Sequence, residues 1–227
     1  MESKSQQSTV PPLHKSEFTG PNDAEWTSLT IGQYFKKVVD NQGEKPAIIV
    51  KHQGVDWTYQ QYWDEVERVA CGLLGNGVEP GDRVGIWSPN NIEWSIVQMA
   101  TARIGAIMVC LNPAYRPDEL AFAINNVAVK YLVMAQSFKQ SNYVAMLKEL
   151  APEIDGKDDT ASSTPLSLSK LPSLKHVYTI GDKPVEGLQA FSALQIKPTE
   201  ALKSQLLAIE SKLSPDDNIN IQFTSGT

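Results

Sequence analysis

The residues whose types and order could do chemistry are Thr224-Ser225-Gly226-Thr227. Three hydroxyls can donate to anionic oxygens, and Gly226 lets backbone N–H groups come close, so a loop of this make-up is suited to holding phosphate. It leaves the end of Ile219-Asn220-Ile221-Gln222-Phe223, where apolar and polar residues alternate as they do in a strand. Thr224, Ser225, Gly226 and Thr227 are therefore the candidate ligand-binding residues. Nothing basic follows them to meet phosphate charge. No other residues form a catalytic or metal-ligand pattern. His14, His52 and His176 are scattered, and the two cysteines, Cys71 and Cys110, sit inside apolar segments without ligand spacing.

The elements that must position such a loop can be read in chain order. Residues 1–28 are polar and carry Pro11, Pro12 and Pro21, so they read as a flexible arm. A short helix is expected over 30–39, with Tyr34, Phe35, Val38 and Val39 on one face. Strands follow over 47–52 and 55–57 around Gln53-Gly54. Thr58 caps the next helix with Gln61 completing a capping box, and Gly75 and Gly77 end it. From there a strand-loop-helix unit repeats, which is the pattern of a parallel sheet with crossover helices. Strands are expected over 83–87, 106–111 and 129–135. The helix over 92–104 is apolar nearly all round, so it should be buried. Another begins at Pro117, with Asp118 and Glu119 placed well for the helix dipole, and a third follows Ser137. Residues 152–172 shift to Asp, Ser, Thr, Lys and Pro without periodicity and read as a loop insertion. A strand over 175–180, closed by Gly181-Asp182, and a helix capped by Thr199 lead to the last strand. The fold class is α/β.

Composition narrows the partners. The 227 residues carry 20 Lys+Arg against 26 Asp+Glu, a net charge of -6, which gives no electrostatic reason to expect nucleic acid. Two cysteines make no disulfide framework, so a reducing compartment is the default. No apolar run approaches the roughly 18 residues of a membrane span, and the first residues lack the order of a signal peptide. The expectation is a cytoplasmic protein, with mitochondria as the alternative.

Phe223-Thr224-Ser225-Gly226-Thr227 resembles the first half of the phosphate-binding signature of the adenylate-forming enzymes, which include acyl-CoA synthetases, luciferases and adenylation domains. Thr58-Tyr59, Gly77 to Asp82, Trp87-Ser88-Pro89-Asn90-Asn91 and Leu111-Asn112-Pro113-Ala114-Tyr115-Arg116 stand in that family's order and approximate spacing. The runs 220–224 and 112–116 look most like the medium-chain fatty acyl-CoA synthetases, and the resemblance covers residues 29–227. It implies the amino-terminal portion of that family's large domain. It also implies its reaction: a fatty acid joins ATP to give an acyl-adenylate and pyrophosphate, and coenzyme A then displaces AMP, with Mg2+ as metal. The family's loop continues through Thr-Gly-x-Pro-Lys-Gly, which is absent here, as are the adenine-binding segments and the small domain with the catalytic lysine. The chain alone is therefore expected to be inactive, with ATP, Mg2+ and coenzyme A belonging to the full-length enzyme.

Blander roles compete for the same residues. Asn90, Asn91 and Asn112 read as caps or loop braces. Trp87 and Trp94 read as core, and Arg116 as a surface ion pair with Asp118 or Glu119. Two further readings of the whole are a short, non-catalytic scaffold derived from the family and a dinucleotide-binding domain. The second is the poorer, because no G-x-G-x-x-G follows any expected strand. The transcript separates the first two. We expect sequencing past the codon for Thr227 to give an in-frame Thr-Gly-x-Pro-Lys-Gly, whereas a stop codon favours the scaffold.

Overall fold

The structure, a computed structural model, describes Gly20 and residues 27–155, 164–181 and 183–224. Most of the expected arm, the middle of the 152–172 insertion, Asp182, and the candidate residues Ser225, Gly226 and Thr227 lie outside the described residues.

Local chemistry sets most element starts. The Thr30 hydroxyl accepts the Gln33 N–H while the Gln33 side chain accepts the Thr30 N–H, and this capping box opens helix α1 (Ile31–Gln42). An antiparallel hairpin follows, β1 (Pro46–Val50) and β2 (Val55–Thr58). Lys51 and His52, expected as strand, form with Gln53 a 3-10 turn that Gly54 closes at φ 66°. Thr58 and Gln61 make the second box and open α2 (Tyr59–Gly75). Then come β3 (Arg83–Trp87), α3 (Ile92–Arg103), β4 (Ile107–Cys110), α4 (Pro117–Asn126) and β5 (Tyr131–Ala135). Where a helix was expected directly after Ser137, a small hairpin intervenes, β6 (Ser137–Phe138) and β7 (Ser141–Asn142), turned at Lys139 with φ 52°. The Asn142 side chain then caps α5 (Tyr143–Leu150). β8 (His176–Ile180), β9 (Gln189–Ala190), α6 (Glu200–Glu210) and β10 (Asn220–Gln222) complete the order.

The main sheet runs β10-β4-β3-β5-β8-β9, and every neighbouring pair is parallel, as the repeating strand-helix units require. The connection from β3 runs to one side and that from β4 runs back past β3 to β5. With right-handed crossovers, those two moves put α3 and α4 on opposite faces. The two cores confirm the arrangement. One is built from α1, α2, α3 and α6, with Trp63, Val66, Leu73 and Ile96 buried in it. The other lies under α4 and α5, with Leu120, Ile124, Leu147 and Trp87. It also takes Leu166, Leu168, Leu171 and Leu174, all buried although no helix or strand carries them. Gly72 marks a close approach on the first face, where an added Cβ would stand 2.0 Å from the Leu194 carbonyl oxygen.

One charged side chain lies inside the first core. Arg103 is only 1% exposed. Its guanidinium covers the Trp63 ring at 3.8 Å from the centroid, and its Nε donates to Glu210 at 2.6 Å. Nη2 stands 3.9 Å from Glu67, and Gly32 leaves the room, since a Cβ there would meet Arg103 Cγ at 3.2 Å. Four helices thus meet on one cation. Removing it strands Glu210, which is mostly buried, so Arg103→Met should cost about 3–5 kcal/mol in urea unfolding. Glu210→Gln keeps a hydrogen-bonding partner and should cost about 1–2 kcal/mol. Equal midpoints for wild type and Arg103→Met would show that the cluster carries no stability.

Candidate functional site

A parallel sheet delivers the carboxyl ends of all its strands to one rim. Register fixes what meets there. Gln222 of β10 is level with Cys110 of β4, and Cys110 is level with Ile86 of β3, so the three strands end side by side. Beyond β10, Phe223 is half-buried against the second core and Thr224 is exposed. Of the four candidate ligand-binding residues, Thr224 alone is described, and it leaves the sheet next to the turn that follows β4. Asn220 tightens the approach, its Nδ2 meeting Cys110 Sγ at 3.5 Å.

The turn after β4 is held from within. Trp87, the last residue of β3, is fully buried, and its Nε1–H donates to the Asn112 carbonyl at 3.1 Å. Tyr143, the first residue of α5, stacks on Trp87 with centroids 3.8 Å apart and planes 12° from parallel. Its hydroxyl donates to the Pro113 carbonyl at 2.6 Å. Burial pushes the Tyr143 hydroxyl up to about 12, so it stays a donor across the working range of pH. Asn112 braces the same turn, its Oδ1 accepting the Ala114 N–H at 2.9 Å and its carbonyl accepting that of Tyr115 at 3.0 Å. The expected bracing role of Asn112 is therefore observed. Arg116 makes no ion pair with Asp118 or Glu119; instead the Glu119 carboxylate accepts the Arg116 backbone N–H at 2.8 Å, completing the start of α4.

After β3, Asn91 is the cap that its sequence position suggested. Its Oδ1 accepts the Trp94 N–H at 2.9 Å and its Nδ2 donates to the Ser88 hydroxyl at 2.7 Å. Gln53, which no motif marked, joins in from the hairpin turn. It accepts the Ile92 N–H at 2.7 Å and donates to Glu93 at 2.8 Å. Trp94 packs against the first core as expected, but it is only half-buried and also lines, with Ile49, His52 and Asn90, a cavity of about 490 Å³ beside this loop. Trp87, by contrast, is core. Of the other groups considered, Cys71 is buried and Cys110 half-buried. His176 is stacked on Tyr131 at 5.1 Å, and burial, with Lys130 adding to it, holds its pKa below the usual histidine range. Among the described residues no group of His, Cys, Asp and Glu could hold a metal ion. No helix among them is long and apolar enough to cross a membrane.

Residues 35–227 match the family model of the AMP-binding enzymes. The mitochondrial medium-chain acyl-CoA ligase ACSF2 of Danio rerio is 36% identical over 219 residues, which is 96% of this chain and 35% of that protein. Its Homo sapiens counterpart is 37% identical over 201 residues, 88% of this chain and 32% of that protein. The chain thus spans about a third of the length of these relatives. Among solved structures, a long-chain-fatty-acid-CoA ligase of Archaeoglobus fulgidus superposes with TM-score 0.67 at 18% identity, covering 93% of this chain and 37% of that one. The anthranilate CoA ligase AuaEII in complex with anthranoyl-AMP gives TM-score 0.65 at 20% identity, over 88% of this chain and 33% of that one. Both establish the fold. The rim's scaffold can be tested without any ligand: Asn91→Ala should lower stability by about 1 kcal/mol, read as a fall in thermal midpoint of about 2–4 °C for a chain of this size. No change would mean that Gln53 alone suffices to start α3.

Proposed function

The chain belongs to the AMP-binding enzyme family, and from that premise we propose that it is the amino-terminal part of an ATP-dependent acid–CoA ligase acting on medium-chain fatty acids. In such a ligase the carboxylate attacks the α-phosphorus of ATP. The bond from that phosphorus to the bridging oxygen breaks, pyrophosphate leaves, and the acyl-adenylate forms. The thiol of coenzyme A then loses its proton, adds at the acyl carbon and expels AMP. The observation that carries the reading is the register of β10 on β4, which brings Thr224 out at the carboxyl rim beside a fixed turn. Ligands of open α/β sheets bind at that rim.

Within this chain the work is binding and orientation. Hydroxyl and amide donors of residues 224–227 would meet the ATP phosphates, with Thr224 as the first contact. No described group fits a magnesium ion, so no step is assigned to one here. Acyl transfer also needs residues of the kind supplied by the other two thirds of a full-length relative, so this chain alone should make no acyl-CoA. The relatives' mitochondrial names favour that compartment over the cytoplasmic expectation.

Hydroxyl and amide donors carry only partial charges, so the affinity should be weak. Calorimetric or NMR titration with ATP should return a millimolar Kd, about -4 kcal/mol. Thr224→Ala should weaken it a further few-fold, about 0.5–1.5 kcal/mol for one hydrogen bond. A micromolar Kd would overturn the view that partial charges alone meet the phosphates. Affinity unchanged in Thr224→Ala would remove the loop from the site.

A further inference from the structure

The cavity between the hairpin turn and the start of α3 is set apart by its charge and by how its walls are joined. Its volume of about 490 Å³ lies within the range of small-molecule sites, about 300–1,000 Å³. One wall is the end of β1 with the 3-10 turn after it, and the other is the loop after β3 with the first turn of α3. Gln53 ties the two together, accepting the Ile92 N–H at 2.7 Å and donating to Glu93 at 2.8 Å. The cleft is therefore formed before any ligand arrives, and filling it requires little ordering.

Its chemistry divides in two. Trp94 and Ile49 give an apolar side: the Trp94 ring is anchored on the first core, and Ile49 is 58% exposed although it lies in a strand. Lys51, His52 and Asn90 give a polar side, all three exposed and with side chains that no described residue pairs. No Asp or Glu lines the cavity, although the chain carries 26 acids against 20 bases, and Glu93 beside it is engaged by Gln53. Other hollows of the surface differ. One along α1, lined by Ile31, Tyr34 and Phe35, has no charged residue, and one at the end of α1 sets Asp40 and Glu44 against Lys45. Unopposed positive charge next to an aromatic wall suits a ligand with a flat apolar body and one negative group.

We propose that this cavity binds a small aromatic carboxylate, its ring against Trp94 and Ile49 and its charge beside Lys51 and His52. The site lies on the hairpin and the first turn of α3, and it does not rest on the ligase reading. An aliphatic acid would forfeit the ring contact, and an uncharged arene would forfeit the charge.

The test is NMR titration of the whole 227-residue chain with naphthoate, and with naphthalenemethanol as an uncharged match of similar shape. We expect naphthoate to give saturable shifts at the amides of residues 48–53 and 90–95 and at the Trp94 indole N–H. The alcohol should bind about three-fold more weakly, the scale of one exposed ion pair. Lys51→Gln should weaken naphthoate by a similar factor and leave the alcohol unchanged. Ionic strength of about 1 M, where the Debye length is about 3 Å, should do the same. Trp94→Leu keeps an apolar residue on the first core and should weaken both ligands about ten-fold. Should that variant unfold at the titration temperature, Ile49→Ser reads the same wall from an exposed position and should weaken both about three-fold. No saturable shift at these residues overturns the proposal, as does equal affinity for acid and alcohol. Naphthoate binding unchanged in Lys51→Gln overturns it too.

Discussion

A buried guanidinium ties together the helices on one face of the sheet. Arg103 ends α3 and is held by Trp63 of α2 and Glu210 of α6, with Glu67 nearby and Gly32 of α1 giving it room. Taking a charge out of water is expensive unless it is paired and hydrogen-bonded, so these helices are not free to shift independently. Nine residues lead from the end of α6 at Glu210 to Asn220, where β10 begins. Parallel pairing permits only whole-register moves, and a one-residue slip would turn Ile221 from the second core to the opposite face. The register of β10 is held by its pairing with β4 and by the packing of Ile221, and it decides which residue emerges beside Asn112.

The opposite face of the sheet solves a different problem. There the carboxyl ends are set by apolar packing and by two aromatic donors rather than by charge. Trp87 and Tyr143 are large and fully buried, yet each keeps a polar atom that must find a partner. Both partners are carbonyls of the turn after β4. Satisfying the core's own polar atoms and shaping the rim are thus one operation. It also explains why α5 starts where it does. The hairpin at residues 137–142 takes up the chain between β5 and the helix, and Asn142 then caps α5 so that its first residue reaches Trp87.

Much of this was legible in the sequence because it is local. Both capping boxes, the start of α4 and the strand-helix rhythm are read from residues three or four apart, where side chain and backbone meet directly. The even apolarity of α3 foretold its burial, and the run Asn220 to Phe223 foretold an alternating strand. What escaped was non-local. Gln53 looks like a turn residue, and only the folded hairpin brings it to the first turn of α3. Trp94 packs on the first core as its type suggested, but that part of it also lines a cavity is visible only in the fold. Leu166 to Leu174 show no period, since they are buried by packing under the sheet rather than by membership of a helix or strand. Arg103 reads as the basic last residue of a helix, and nothing nearby in sequence announces Glu210, 107 residues away.

The division of labour at the rim follows from charge. Hydroxyls and amides select the shape of a phosphate chain, but each carries only a partial charge, and the whole chain is acidic at -6. A full opposite charge at 4 Å contributes about 1 kcal/mol in water and about 4 kcal/mol near a protein surface. Several donors can match that for binding, but they cannot follow the growth of charge on a leaving pyrophosphate in the way a lysine can. A loop of hydroxyls and amides alone is thus better suited to position than to charge. Geometry is the part that needs a rigid sheet, a fixed register and buried aromatic braces. Charge can be brought by one side chain on a later loop, at any point where the fold returns the chain to this edge. The two requirements are separable.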